Sequence, residues 1–122
     1  MSFQTELQNV VSQVDGAVAC SVMGFDGITV ETVQANEQTS GELELSTTWV
    51  EFANILTQLK NAAQVLKTGG VNEVSIHAEN VVTLMRLVSP EYFLVLALKP
   101  DGNFGRGRFA LRVAAPKVKA EL

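Results

Sequence analysis

Two apolar runs lie almost back to back in the C-terminal half of this chain, at residues 81–88 and 92–98, with only Ser89, Pro90 and Glu91 between them. Thr83 and Arg86 are the sole interruptions of the first run, and the second has none. Runs this short, bounded by turn residues and lacking polar alternation, predict strands buried on both faces of a sheet. A three-residue connection makes them antiparallel neighbours. A sheet covered on both sides needs two further layers, which the rest of the chain must supply.

Helical patterns supply them. Phe3, Leu7, Val10, Val11 and Val14 recur at spacings of four and three, which predicts an amphipathic helix capped by Ser2 and stopped by Asp15-Gly16. A longer helix places Leu45, Trp49, Phe52, Leu56, Leu59, Ala63 and Leu66 at alternating spacings of four and three. Thr39-Ser40-Gly41-Glu42 has capping-box spacing at its start, and Gly69-Gly70 ends it. Glu42 and Glu44 near its start and Lys60 and Lys67 near its end suit the helix dipole. A last helix begins near Asn103 or Phe104, with Phe109 and Val113 expected to face the sheet. Pro116 is expected to end or kink it, leaving residues 117–122 as a frayed tail.

Three more strands complete the pattern. Residues 17–23 and 28–33 flank Gly24-Phe25-Asp26-Gly27, whose Asp-Gly step is a hairpin signal. Residues 34–41 read as a polar loop, 71–78 as a modest strand closed by Glu79-Asn80, and 99–102 as a turn. The expectation is one α+β domain over residues 1–122. It has a mainly antiparallel five-stranded sheet sandwiched by helices, in the order α-β-β-α-β-β-β-α.

Composition removes several classes. A chain of 122 residues, 47% apolar, buries enough surface to fold without staples. It has no apolar run long enough to span a bilayer and no basic-then-apolar leader, so a cytoplasmic protein without membrane insertion is expected. Cys20 and His77 are the only residues of their types, too few for a zinc site. Charge is uneven: residues 1–61 hold one lysine against eight acids, and residues 62–122 hold eight basic residues against five acids. The basic stretch contains Lys99, Arg106, Arg108, Arg112, Lys117 and Lys119, yet a pI near 4.9 argues against nucleic-acid binding.

Catalysis finds no constellation. Cys20, between Ala19 and Ser21 in a core strand, reads as a small packed residue. His77 shares a strand face with Glu73 and Ser75 and reads as a surface or interface residue. Glu42 and Glu44 lie on a solvated helix start rather than in a pocket. Residues 102–108 resemble neither the Walker pattern nor the dinucleotide fingerprint and read as a turn into the last helix. No enzyme activity and no cofactor are expected.

The apolar residues of the long helix, with Ala53, Ile55 and Ala62 added, span about half its circumference, wider than the stripe of roughly 100° that one sheet contact needs. Another helix of the same chain could cover the excess. The other helices are shorter and needed on the opposite face, which favours a partner helix from a second copy. The strand at 71–78, least apolar of the later three, reads as an edge able to pair with a symmetry mate.

The strand-turn-strand segment at residues 16–31, with its Gly16 and Asp26-Gly27, resembles the first hairpin of the Roadblock/dynein light-chain family. The element order over nearly all 122 residues is similar too. The chain most resembles the small bacterial members of the MglB kind. The resemblance implies a homodimer, or a heterodimer with a related domain, joined by antiparallel second helices and by pairing of the edge strand. Trp49, Phe52, Leu56, Leu59 and Ala63 would then lie at or near the seam, with Val74, Ile76 and His77 on the pairing edge. It also implies a non-enzymatic module that activates, adapts or scaffolds a Ras-like small GTPase. Because the bacterial regulators insert no catalytic arginine, it implies no such role for Arg106, Arg108 or Arg112. The alternative is a PAS-like or profilin-like sensory domain, which would need a pocket with convergent polar groups. Beyond Thr83 and Arg86 the apolar strands offer few.

Overall fold

The computed structural model describes residues 2–35 and 45–122. Its elements are α1 (Phe3–Gln13), β1 (Ala17–Gly24), β2 (Thr29–Gln34), α2 (Leu45–Leu66), β3 (Glu73–His77), β4 (Val82–Leu87), β5 (Tyr92–Leu98) and α3 (Phe104–Ala120). The expected order and fold class hold. The capping box at 39–42, with Glu42 and Glu44, lies outside the described residues.

The strands align as β2-β1-β5-β4-β3, every neighbouring pair antiparallel. The wholly apolar run at 92–98 is therefore the central strand, with a layer on each face and a strand on each side. On one face α1 and α3 close a core built from Leu7, Val10, Cys20, Val22, Leu84, Leu94, Leu96, Leu111 and Val118. On the other, α2 packs through Leu45, Trp49, Ala53 and Leu56 onto Val18, Met23, Met85, Phe93 and Val95. The alternating register sends β5 side chains to both cores, so polar residues have no place on that strand.

Topology also sets the path of the second helix. It lies between β2 and β3, the opposite edges of the sheet. Five strands are about 19 Å across from first to last axis. A helix of 22 residues reaches about 33 Å. The helix is thus long enough to carry the chain from one edge of the sheet to the other.

Gly16 joins the two helices of one face. It sits at φ 86°, and a Cβ there would lie 2.5 Å from the Gly102 Cα. The Lys99 amide donates to the Gly16 carbonyl at 2.8 Å, and the Asn103 amide to the Asp15 carbonyl at 2.9 Å. The end of α1 is thereby tied to the start of α3. At their N-termini, Ser2 accepts from the Thr5 amide and Asn103 from the Arg106 amide.

Three local expectations need correction. Phe109 and Val113 face solvent, not the sheet. The sheet-facing positions of α3 are Gly107, Ala110, Leu111, Ala114, Ala115 and Val118. A Cβ at Gly107 would already come within 2.8 Å of Leu84 Cδ1, so α3 lies too close to the sheet for a phenylalanine beneath it. Pro116 does not end α3, which continues to Ala120. Proline removes the hydrogen bond to the Arg112 carbonyl, but both residues are on the exposed side, where water can replace it. The fully buried Val118 anchors the last turn, so residues 117–120 are helix rather than frayed tail. Finally, α2 reverses at Lys67, which takes the left-handed conformation at φ 57° two residues before Gly69.

Candidate interaction surfaces

A period of 3.6 residues splits the apolar positions of α2 into two stripes. Trp49, Leu56 and Ala63 are buried with Leu45 and Ala53, and Trp49 retains only 3% of its surface. They belong to the inner stripe, against the chain's own sheet. Phe52, Ile55, Leu59, Ala62 and Leu66 follow at spacings of three, four, three and four on the outer side. Phe52 is half-buried, Leu59 is 40% exposed, Ile55 45% and Leu66 71%. The second stripe has the spacing of a helix–helix seam; Phe52 packs in part against the inner core, while Ile55, Leu59, Ala62 and Leu66 are exposed. Ile55 and Ala62 complete it and were not among the interface residues read from the sequence. Their spacing was visible, but the sheet contact had to be located before inner and outer residues could be separated.

The edge strand β3 divides the remaining candidates between its faces. Val74 and Ile76 pack, half-buried, on the α2 side. Glu73, Ser75 and His77 point to the α3 side, opposite Arg86, Leu84 and Val82. The His77 ring meets Phe104 edge-on, 4.8 Å between centroids.

Between β3 and α3 lies a cleft of about 390 Å³, lined by Glu73, Arg86, Gly105, Arg108, Phe109 and Arg112. Arg108 holds the Glu73 carboxylate through Nε at 3.0 Å and through Nη2, and Arg86 stands 3.8 Å away on its other oxygen. The Arg108 hydrogen bond, with the positive charge of Arg108, Arg86 and Arg112, holds the Glu73 carboxyl below the usual carboxylate range. The exposed Phe109 ring lies between two guanidinium groups, Arg106 at 5.4 Å and Arg112 at 5.8 Å. The Arg108/Arg112 repeat was visible in the sequence. Its acidic partner, 35 residues away on another element, carried no sequence signal.

Elsewhere, Lys60 Nζ sits 3.7 Å above the Phe25 ring and donates to the Pro90 carbonyl at 2.9 Å. Phe25 packs on Phe93 at 5.1 Å, so the lysine that suited the helix dipole instead fastens α2 to the β1–β2 and β4–β5 turns. Cys20 is fully buried, and that burial pushes its thiol up to about 12, removing it as a nucleophile at neutral pH. Among the described residues no three His, Cys, Asp or Glu side chains cluster to hold a metal. No described helix is long and apolar enough to cross a membrane.

Against solved structures, the chain is 67% identical to MglC from Myxococcus xanthus over 100% of both chains, with a TM-score of 0.71. A Roadblock/LC7 domain from Streptomyces avermitilis is 8% identical and covers 99% of this chain and 98% of its own, at a TM-score of 0.82. The gliding protein MglB from Thermus thermophilus is 14% identical over 96% of this chain and 85% of its own, at 0.83. For the last two the likeness is one of fold. No protein-family model and no curated protein matches the chain.

Proposed function

Since the chain belongs to the roadblock family, as a bacterial member related to MglC, we propose that it is a dimeric, non-enzymatic module that regulates or scaffolds a Ras-like small GTPase. Residues 1–122 act as one roadblock-like domain in the cytoplasm, without a cofactor. The outer stripe of α2 carries the reading. Five apolar residues at seam spacing, four of them exposed, on a helix whose other side already fills a core, are what an isologous helix pair requires. Phe52 and Leu59 lie in the seam with Ile55, Ala62 and Leu66. Trp49, Leu56 and Ala63 stand behind it and hold the helix to the sheet. Val74, Ile76 and His77 lie on the strand edge that pairs with its mate.

Light scattering tests the assembly, and a pull-down from the source cell, with and without a non-hydrolysable GTP analogue, tests the partner. A stable dimer and nucleotide-dependent capture of a Ras-like GTPase are expected. A strict monomer at micromolar concentration overturns the dimer. A dimer that captures the same proteins regardless of nucleotide overturns the GTPase role.

A further inference from the structure

The cleft between β3 and α3 is built for a ligand of definite chemistry. Arg86, Arg108 and Arg112 converge on it, and among the described residues Glu73 is the one acid in its wall, so guanidinium groups there outnumber carboxylates three to one. Arg108 and Arg86 are oriented by Glu73, which leaves Arg112 held by no acid among the described residues and stacked beside Phe109. Next to it, sharing Glu73 and Arg108, lies a second hollow of about 230 Å³ whose wall includes Leu84, Phe104 and Leu111. Positive charge, an exposed aromatic ring and a hollow walled in part by apolar side chains are thus contiguous, on the face of the sheet opposite α2.

The geometry points to a docking site for an acidic peptide segment of a partner protein, one that carries a bulky apolar residue beside its carboxylates. Arginine presents a planar fork that matches a carboxylate with two parallel hydrogen bonds, and a fork already oriented by Glu73 loses less freedom on binding. The incoming carboxylates take Arg112 and the outer edge of Arg108. The apolar residue lies against Phe109 or enters the hollow over Leu84 and Leu111. A polyphosphate backbone fits less well, since the whole chain carries a formal charge of −4 and the cleft wall contains a carboxylate. An anionic bilayer fits less well too, since it is drawn by clusters of roughly four to eight unpaired basic residues on a surface, not by a concave site with an internal ion pair. The site lies on the α3 side, away from the outer stripe of α2, although its Glu73 belongs to the β3 edge assigned above to pairing with a second copy.

The probe is a short fluorescein-labelled peptide of glutamates bearing one leucine and one phenylalanine, titrated by anisotropy against the full chain and its variants. Wild type is expected to bind, with amide shifts in 15N spectra confined to α3 and β3. Arg112→Glu and Phe109→Ser are each expected to weaken binding about tenfold or more. Lys117→Glu, on the same helix but outside the cleft, should change it less than about twofold. Arg112→Gln, which keeps the side chain's length, provides the same reading should charge reversal disturb the fold. Equal losses from Lys117→Glu and Arg112→Glu would reduce the effect to overall charge and overturn the site. So would equal binding of an all-glutamate peptide, or no binding of the probe at millimolar concentration. Tighter, Arg112-dependent binding of a single-stranded oligonucleotide or of phosphatidylserine vesicles would reassign the cleft and overturn the peptide reading.

Discussion

At the scale of single residues, burial and charge pairing set two titrations in opposite directions. The Cys20 thiol is raised by desolvation, so the folded state holds its proton after the unfolded chain has lost it. Its contribution to stability is complete below the unfolded thiol's range and is lost as pH climbs toward about 12. The same burial protects it chemically. Maleimide labelling at pH 8 should be at least about a thousandfold slower in buffer than in denaturant, since it must wait for opening. Comparable rates would mean that β1 is not in the core. Glu73 runs the other way. Its carboxyl is depressed by Arg108, so its stabilisation is present above the unfolded carboxylate range and is lost as pH falls through the lower range of the folded carboxyl. Glu73→Gln should lower the melting temperature slightly at pH 7, and the difference should shrink as pH falls through the depressed range of the folded carboxyl; a difference independent of pH would refute the ion pair. Cys20 was legible as a core residue from its apolar neighbours. Glu73 was not, because a pair between an edge strand and a helix exists only after both have docked.

At the scale of elements, two glycine-related positions separate what a turn needs from what it tolerates. Gly16 combines a positive φ with backbone contact to Gly102, so Gly16→Ala should cost about 2 kcal/mol or more in denaturant unfolding. Lys67 occupies a left-handed cap that favours glycine, so Lys67→Gly should gain about 1 kcal/mol, read as a melting temperature higher by about 4 °C. An unchanged or lower value would show that the lysine side chain makes up for its backbone. The helices show where periodicity suffices and where it fails. It located α2 correctly between Leu45 and Leu66 but could not say which arc of a broad apolar surface meets the sheet. In α3, with Arg108 and Arg112 on one face, it pointed Phe109 and Val113 to the sheet. The actual contact uses glycine and alanine, because a helix lying close to a sheet selects small residues rather than the most apolar ones.

At the scale of the molecule, the two stripes of α2 make contrasting predictions. Leu56 is wholly buried, and Leu56→Ala should cost about 2–5 kcal/mol of folding stability. Leu59, on the outer stripe, should tolerate Leu59→Glu as a folded chain while losing self-association in light scattering. A Leu59→Glu variant that remains dimeric would move the seam elsewhere. The antiparallel five-stranded sheet, its helical layers and the element order followed from local sequence: apolar runs without alternation, an Asp-Gly turn and helical periods are short-range signals of backbone state and burial. Strand order, the split of α2 into an inward and an outward stripe, and the meeting of Glu73 with Arg86, Arg108 and Arg112 were decided only by the tertiary structure. They depend on contacts between residues distant in sequence, formed when α2 crosses one face of the sheet and α3 settles closely on the other. A periodic pattern records how much of a helix is apolar, and only packing determines which part of it remains available to a partner.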